Sequence, residues 1–396
     1  MLKKLIEPLA GNFADSPQEV ELDAKAKELL DTAFSGFADG ELLDNHLHIL
    51  GKGTGGSGCY ANPDYFSWKH PIERTRMIGL MSSADIDLES RTDQEYVKRL
   101  FTLIDDLPMK GKMMLLAMDK AYNEDGNPND KLTKFYVPND YIYEVASRKP
   151  DNCIPVMSVH PYRKDAIDEL EKWAAKGVKM VKWLPNAMGM DPSNHKCLPF
   201  YKKMEELGLV LLGHAGKETA IEVFKYRNLG NPLLYRTPLD MGIKVVMAHC
   251  AGLGSGKDLD AKLPIPIKNY KLFLRLMEEK QYEGLLFGDI SALTNINRMG
   301  APLKQILERT DIHHRLINGS DYPLPAVNMV MSTKAFVKLD YIDETEREAL
   351  NQIYERNPLL FDFVLKRTLR NPKTGEKFPD TVFKDHPTLK LTAFSF

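Results

Sequence analysis

The segment "LLDNHLHIL", Leu42 to Leu50, places His46 and His48 one residue apart inside an apolar run. Apolar flanks mark a buried strand, where an imidazole without a partner is costly. Residues i and i+2 of a strand share a face, so both rings point to one place, with Asp44 expected on the same side one layer deeper. Other short apolar runs carry polar residues towards their ends. These are His160 in "CIPVMSVHP", Lys182 in "VKMVKWLP", His214 in "LVLLGHAG", His249 in "IKVVMAHCAG" and Asp321 in "RLINGSDYP". A single such residue is ordinarily a hydrogen-bonded core residue. Several at the same level of successive strands converge on one point. Imidazole and carboxylate suit zinc, and manganese or iron with less preference. Lys182 does not suit a cation site as an ammonium. It makes sense against a substrate anion, or as a carbamylated amine that bridges like a carboxylate.

These residues need elements that bring their strand ends together. From residue 111 onward, short Val/Leu/Ile/Met-rich runs alternate with helical patterns, as parallel strands covered on both faces should. Several helices end at a Gly that leads straight into the next strand, as in "AAKGVKMV", "EELGLVLL" and "DMGIKVV". Counting "LLDNHLHIL", eight strands result, which predicts an α/β chain folded as a (β/α)8 TIM barrel. The barrel is expected over residues 41–370. An N-terminal helical extension, 1–40, precedes it, with a helix starting at Ser16 and Glu19 completing a capping box. A C-terminal tail, 371–396, reads as an appendage. The long connection after the first strand, with "GKGTGGSGCYANPDYFSW" at its start, is where a barrel encloses its substrate, and Tyr60 and Trp68 are candidates for a pocket wall.

Composition narrows the function. The chain has 396 residues, 43% of them hydrophobic, and a net charge of −2 without a basic block, which argues against nucleic-acid or membrane-surface partners. No apolar run is long enough to span a bilayer, and the N-terminus does not read as a signal peptide. The four cysteines, Cys59, Cys153, Cys197 and Cys250, lie far apart, so a reduced, cytoplasmic protein with a small-molecule substrate is expected.

Together "DNHLH", "VKMVKWLP", "GHAG", "MAHCAG", "NGSDYP" and "YERNPLLFDF" resemble the metal-dependent amidohydrolase superfamily, in particular its amidohydrolase 2 branch, which includes aminocarboxymuconate-semialdehyde decarboxylase. The resemblance implies His46, His48, His214 and Asp321 as ligands of a single divalent metal, with His249 and Asp321 catalytic. A second metal would use His249 and a carbamylated Lys182. It leaves a homodimer open. The leading expectation is hydrolysis of an amide, lactone or ester bond by a metal-activated water. The alternative is non-oxidative decarboxylation of a small unsaturated or aromatic acid, and a catalytically silent binding barrel is a third. His160, Arg163 and Arg298 are candidates for substrate contact, the two arginines competing with a surface role. Asp289 ends the seventh strand without a place in the ligand set.

Overall fold

The computed structural model describes residues 16–84, 92–221, 223–263 and 265–396. Residues 1–15 of the expected extension lie outside them. Among the described residues eight parallel strands run in chain order: β1 Leu42–His48, β2 Gly111–Leu116, β3 Cys153–Val156, β4 Met180–Trp183, β5 Val210–His214, β6 Lys244–Ala248, β7 Leu286–Asp289 and β8 Leu316–Ile317. They form two ladders, β1–β2–β3 and β4 through β8. Parallel bridges Met157–Val181 and Leu47–Tyr322 join the ladders at both seams. The sheet therefore closes into a TIM barrel, with the intervening helices outside.

Side-chain alternation builds two cores. Leu43, Met114, Val156, Met180, Leu212, Val246 and Phe287 fill the barrel. Leu42, Leu47, Leu115, Val181, Trp183 and Met247 face the helices. Trp183 packs on Phe200 and Tyr201 and donates to the Val159 carbonyl at 2.8 Å. The four cysteines are buried and unpaired.

Strict alternation fails once, in β1. Pairing runs from Leu42–Gly111 to Asp44–Met113 and resumes at Leu47–Leu115, three steps against two. This bulge flips the parity of the strand. Leu43 points into the barrel and so do His46 and His48, but Asp44 does not lie beneath them as alternation predicted. It faces outwards among Leu107, Met113, Leu359 and Asp362. There its Oδ1 accepts from the amides of His46 at 3.0 Å and Ser320 at 2.8 Å.

The flanking segments also differ from expectation. The helix near the N-terminus spans Ala24–Phe34 and is capped by Asp23, whose Oδ1 accepts from Ala26 N at 2.8 Å. Ser16 caps nothing and precedes a short 3-10 turn at Pro17–Glu19, because the extended Val20–Leu22 stretch separates it from the helix. The C-terminal residues close the bottom of the barrel. Lys384 bridges Leu42, Val382 O accepts from Asn318 N at 2.7 Å, and Leu389 and Leu391 join the interior cluster. Replacing the fully buried Leu391 with Ala should lower unfolding free energy by about 2–5 kcal/mol in urea titrations. A loss below about 0.5 kcal/mol would show that the tail is not part of the core.

Candidate metal centre

The barrel's C-terminal ends carry the polar residues. His46 and His48 come from β1, Lys182 from β4, His214 from the end of β5, and Asp289 from the end of β7. His249 and Asp321 follow β6 and β8 with left-handed φ values of 55° and 59°. Such values are strained for residues other than glycine and turn both side chains as the chain leaves the sheet. Gly213 is needed for another reason: a Cβ there would lie 2.3 Å from the ring of Tyr235, whose hydroxyl donates to His214 O at 3.0 Å.

Three donor atoms meet closely. His46 Nε2 lies 3.3 Å from His48 Nε2 and 3.5 Å from Asp321 Oδ1, and His48 Nε2 lies 3.2 Å from the same oxygen. A tetrahedral cation with bonds of about 2.0–2.1 Å has ligand–ligand edges of about 3.3–3.4 Å, so the triangle fits one. His214 Nε2 is buried without a hydrogen-bond partner, 3.6 Å from Glu218 Oε2. An orphaned imidazole nitrogen is costly unless a cation takes its lone pair. The residues present therefore fit a divalent metal. The tight groupings are His46, His48 and Asp321, and His46, His249 and Asp289; His214 stands outside both.

Tautomers follow from the partners. His46 Nδ1 is 2.6 Å from Asp289 Oδ2, a carboxylate that can only accept, so Nδ1 carries the proton and Nε2 offers its lone pair to the centre. His249 Nδ1 faces the Ser291 carbonyl at 3.1 Å and its hydroxyl at 2.7 Å, so His249 Nε2 is likewise an acceptor. Ser291 in turn donates its hydroxyl to Asp289 Oδ1. One carboxylate thus orients two imidazoles, one directly and one through a serine. Burial holds the His46 and His249 pKa values well below the usual imidazole range and lowers His214 to about 4. All three rings are neutral at pH 7, the form that ligates. Lys182 Nζ lies 3.0 Å from His46 Nε2, and burial lowers its pKa to about 8 against the pull of Asp289, Asp321 and Glu218.

Asp289, Ser291 and Glu218 were not assigned roles from the sequence. Asp289 was recoverable: it stands two residues after the inward Phe287, so it points to the mouth. Glu218 lies four residues after His214, in a loop without periodicity, and its Oε1 is drawn in by the amides of Thr219 and Ala220.

Above the centre lies a cavity of about 900 Å³ including its open mouth. His48, His214, His249 and Asp321 form its floor. Leu50, Leu80, Phe135, Val137, Ile221 and Leu324 are among its walls, with Glu218, Asn295, Asn297 and Arg298 between them. Trp68 is exposed under Arg74, and Tyr60 pairs with Tyr136 in a short ribbon; neither lines the cavity. His160 and Arg163 also lie off its lining. His160 Nδ1 accepts from Tyr162 N at 3.1 Å and Nε2 contacts Met188 O at 3.2 Å. Arg163 is engaged by Asp119 at 3.1 Å and Asp165 at 2.7 Å.

The amidohydrolase family profile matches residues 115–361. The chain belongs to the amidohydrolase family. As an amidohydrolase it is a metal-dependent enzyme, a hydrolase or a carboxy-lyase. No curated protein matches it. Among solved structures it is similar to an uncharacterized TIM-barrel protein of Bordetella bronchiseptica, at 16% identity over 80% of this chain and 96% of that one, with a TM-score of 0.48. It is also similar to 4-oxalomesaconate hydratase of Rhodopseudomonas palustris (14% identity, 80% and 96% covered, TM-score 0.42). A third is 5-carboxyvanillate decarboxylase of Sphingomonas paucimobilis (13% identity, 75% and 98% covered, TM-score 0.43). Among the described residues no helix is long and apolar enough to cross a membrane.

Two outcomes follow from these partners. Asp289→Asn should weaken metal affinity roughly 10- to 100-fold while the fold persists, measured by competition with a chelator; unchanged affinity would remove Asp289 from this role. Burial lowers the His160 pKa to about 3, whereas in the unfolded chain it titrates near 6.5. Between those values the unfolded chain binds the extra proton, so the neutral ring's contribution is complete above pH 6.5 and is lost as pH falls towards 3. His160→Gln should show a shallower acid loss of stability across that window, by up to about 1.4 kcal/mol per pH unit. Parallel curves for the two proteins would contradict this.

Proposed function

We propose that this amidohydrolase hydrolyses an amide, lactone or other ester bond of a small molecule, using one divalent cation, zinc by its donor set, held by His46, His48, His214 and Asp321. The observation that carries this reading is the position of Asp321. Its Oδ1 belongs to the donor triangle, while its Oδ2 lies 3.9 Å from His249 Nε2, on the floor of the cavity. A carboxylate so placed can take a proton from water and return it to the leaving group as the C–N or C–O bond breaks. His249, protonated on Nδ1, cannot donate to a carbonyl from Nε2; it accepts a hydrogen bond from the attacking water and orients it. A bound cation supplies Lewis acidity, polarising an oxygen brought against it. Lys182, with its pKa near 8, offers a neutral amine to part of the population at pH 7, the form that carbamylates. A carbamate there, with His249, would provide donors for a second cation.

Decarboxylation of a small aromatic or unsaturated acid is the second reading, favoured by the apolar walls beside Arg298. Turnover in ¹⁸O-labelled water separates the two. Hydrolysis places the label in the product acid, whereas decarboxylation leaves the organic product free of label and gives it only a solvent proton. Asp321→Asn should lower kcat by roughly 10²–10⁴ while keeping much of the metal, since the amide oxygen still ligates. Full activity in that variant would remove Asp321 from the proton path.

A further inference from the structure

We infer that a monovalent alkali cation, sodium or potassium, binds behind the β1–β8 seam, between the side-chain oxygens of Asp362 and Asn318 and beside the Asp44 carboxylate. This site lies on the outer face of the barrel wall, apart from the metal centre, and is independent of the reaction performed there.

A cavity of about 300 Å³, including its opening, lies there between β1, the segment that follows β8 and the helix Pro358–Thr368. Asp44, Asn318, Ser320 and Asp362 supply its polar lining, and none of them is more than 6% exposed. Two of them lack partners. Asp362 Oδ2 accepts from Lys366 Nζ at 2.6 Å, but Asp362 Oδ1 is buried with nothing to accept from. Asn318 Nδ2 donates to Leu43 O at 3.1 Å, but Asn318 Oδ1 is likewise buried and unpartnered. Orphaned acceptors are costly, and two of them line one cavity. Oxygen-only donors suit a hard cation rather than zinc or another nitrogen- and sulfur-seeking metal.

Charge selects a monovalent ion. Asp44 and Asp362 are two buried acids, and Lys366, 1% exposed and one turn along the helix from Asp362, is the single base paired with them. Burial raises the Asp44 carboxyl pKa, and the amides of His46 and Ser320 on its Oδ1 oppose that rise. With both acids ionised the group is one positive charge short, and a buried charge without compensation is expensive. A monovalent cation makes it neutral. A divalent cation would leave excess positive charge beside Lys366. A proton on Asp362 is the rival source of that charge. Burial raises its carboxyl pKa to about 7, with Asp44 and, at longer range, Asp321 adding to the rise and Lys366 opposing it. Above pH 7 the carboxylate predominates and the cation takes the place. Held there, it braces the seam, because Asp44 ties the amides of His46 and Ser320 while Lys366 ties the Gly319 carbonyl at 2.6 Å.

The test uses the metal-loaded protein in choline chloride, with choline replaced by sodium or potassium at constant ionic strength. At pH 8 the thermal midpoint should rise in a saturable way, by about 2 °C or more at about 100 mM of the ion. A rise with either ion supports the site and identifies its occupant. The apparent affinity should fall about tenfold from pH 8 to pH 6, as Asp362 protonates, with divalent metal content checked at both. Asp362→Asn should abolish the response. Asn318→Ala, which keeps the Asp362–Lys366 pair, should weaken it at least tenfold. Circular dichroism reports whether each variant folds, and if neither does, the pH dependence of the wild-type response decides. Midpoints that are the same in choline, sodium and potassium at pH 8 would give the cavity to a proton or a water and overturn the inference. So would a response that does not saturate, one equally strong at pH 6, or one unchanged in either folded variant.

Discussion

The seam between β1 and β8 carries the centre. Asp321 N donates to His46 O at 2.7 Å and His48 N to Tyr322 O at 3.0 Å, and these two bonds set a carboxylate from one end of the chain beside two imidazoles from the other. The approach is tight enough that a Cβ on Gly319 would stand 2.6 Å from His46 Cβ. From outside the barrel, Lys366 Nζ holds the Gly319 carbonyl at 2.6 Å while paired with Asp362, and Asp44 ties the amides of His46 and Ser320. The donor triangle is thus a product of sheet closure.

Burial then sets the protonation of what the seam assembles. Neutral imidazoles tolerate a dry site if each nitrogen has an assigned partner, and here Asp289 and Ser291 do the assigning. The floor nevertheless gathers acceptors, His46 Nε2, His249 Nε2 and both oxygens of Asp321, beside His48 Nε2 and the unpartnered His214 Nε2. Lys182 answers one of them. That gathering of lone pairs is the electrostatic signature of a cation site, and it is the physical reason the family's metal dependence suits these residues.

The strands were legible from the sequence because parallel barrel strands are short, apolar and punctuated by glycine, and each of the eight expected runs contains an observed strand. His46, His48, Lys182, His214, His249 and Asp321 were legible because each ends such a run. What stayed hidden depends on departures from periodicity. The β1 bulge moved Asp44 from the floor to the outer face, and no local signal in "LLDNHLH" announces an extra residue, since the bulge exists only relative to β2. His160 and Arg163 met the rule of a polar residue after a strand, yet Asp119, Asp165 and backbone groups already engage them. The tail looked polar in sequence because its buried residues, Phe378, Val382, Phe383, Leu389 and Leu391, are spaced too irregularly to make a helical or strand pattern.

The walls and the floor of the cavity obey different constraints. Floor residues sit on strands, one residue past them, or, for Asp321, in the segment after β8 that hydrogen-bonds back to β1. Wall residues come from loops: Leu80 from the insertion after β1, Phe135 and Val137 from a short ribbon after β2, Ile221 after β5, Asn295 to Arg298 after β7. That insertion is itself pinned. Asp93 gathers the amides of Lys52 and Gly53 and the hydroxyls of Thr54 and Ser57, and Tyr96 donates to His48 O at 2.7 Å. Chemistry and selectivity are therefore separable in this chain. The barrel holds the candidate donors, and the loops shape the cavity above them. A change of substrate would be sought in Arg298, Leu80 or Ile221, and a change of reaction in Asp321, His249 or Lys182.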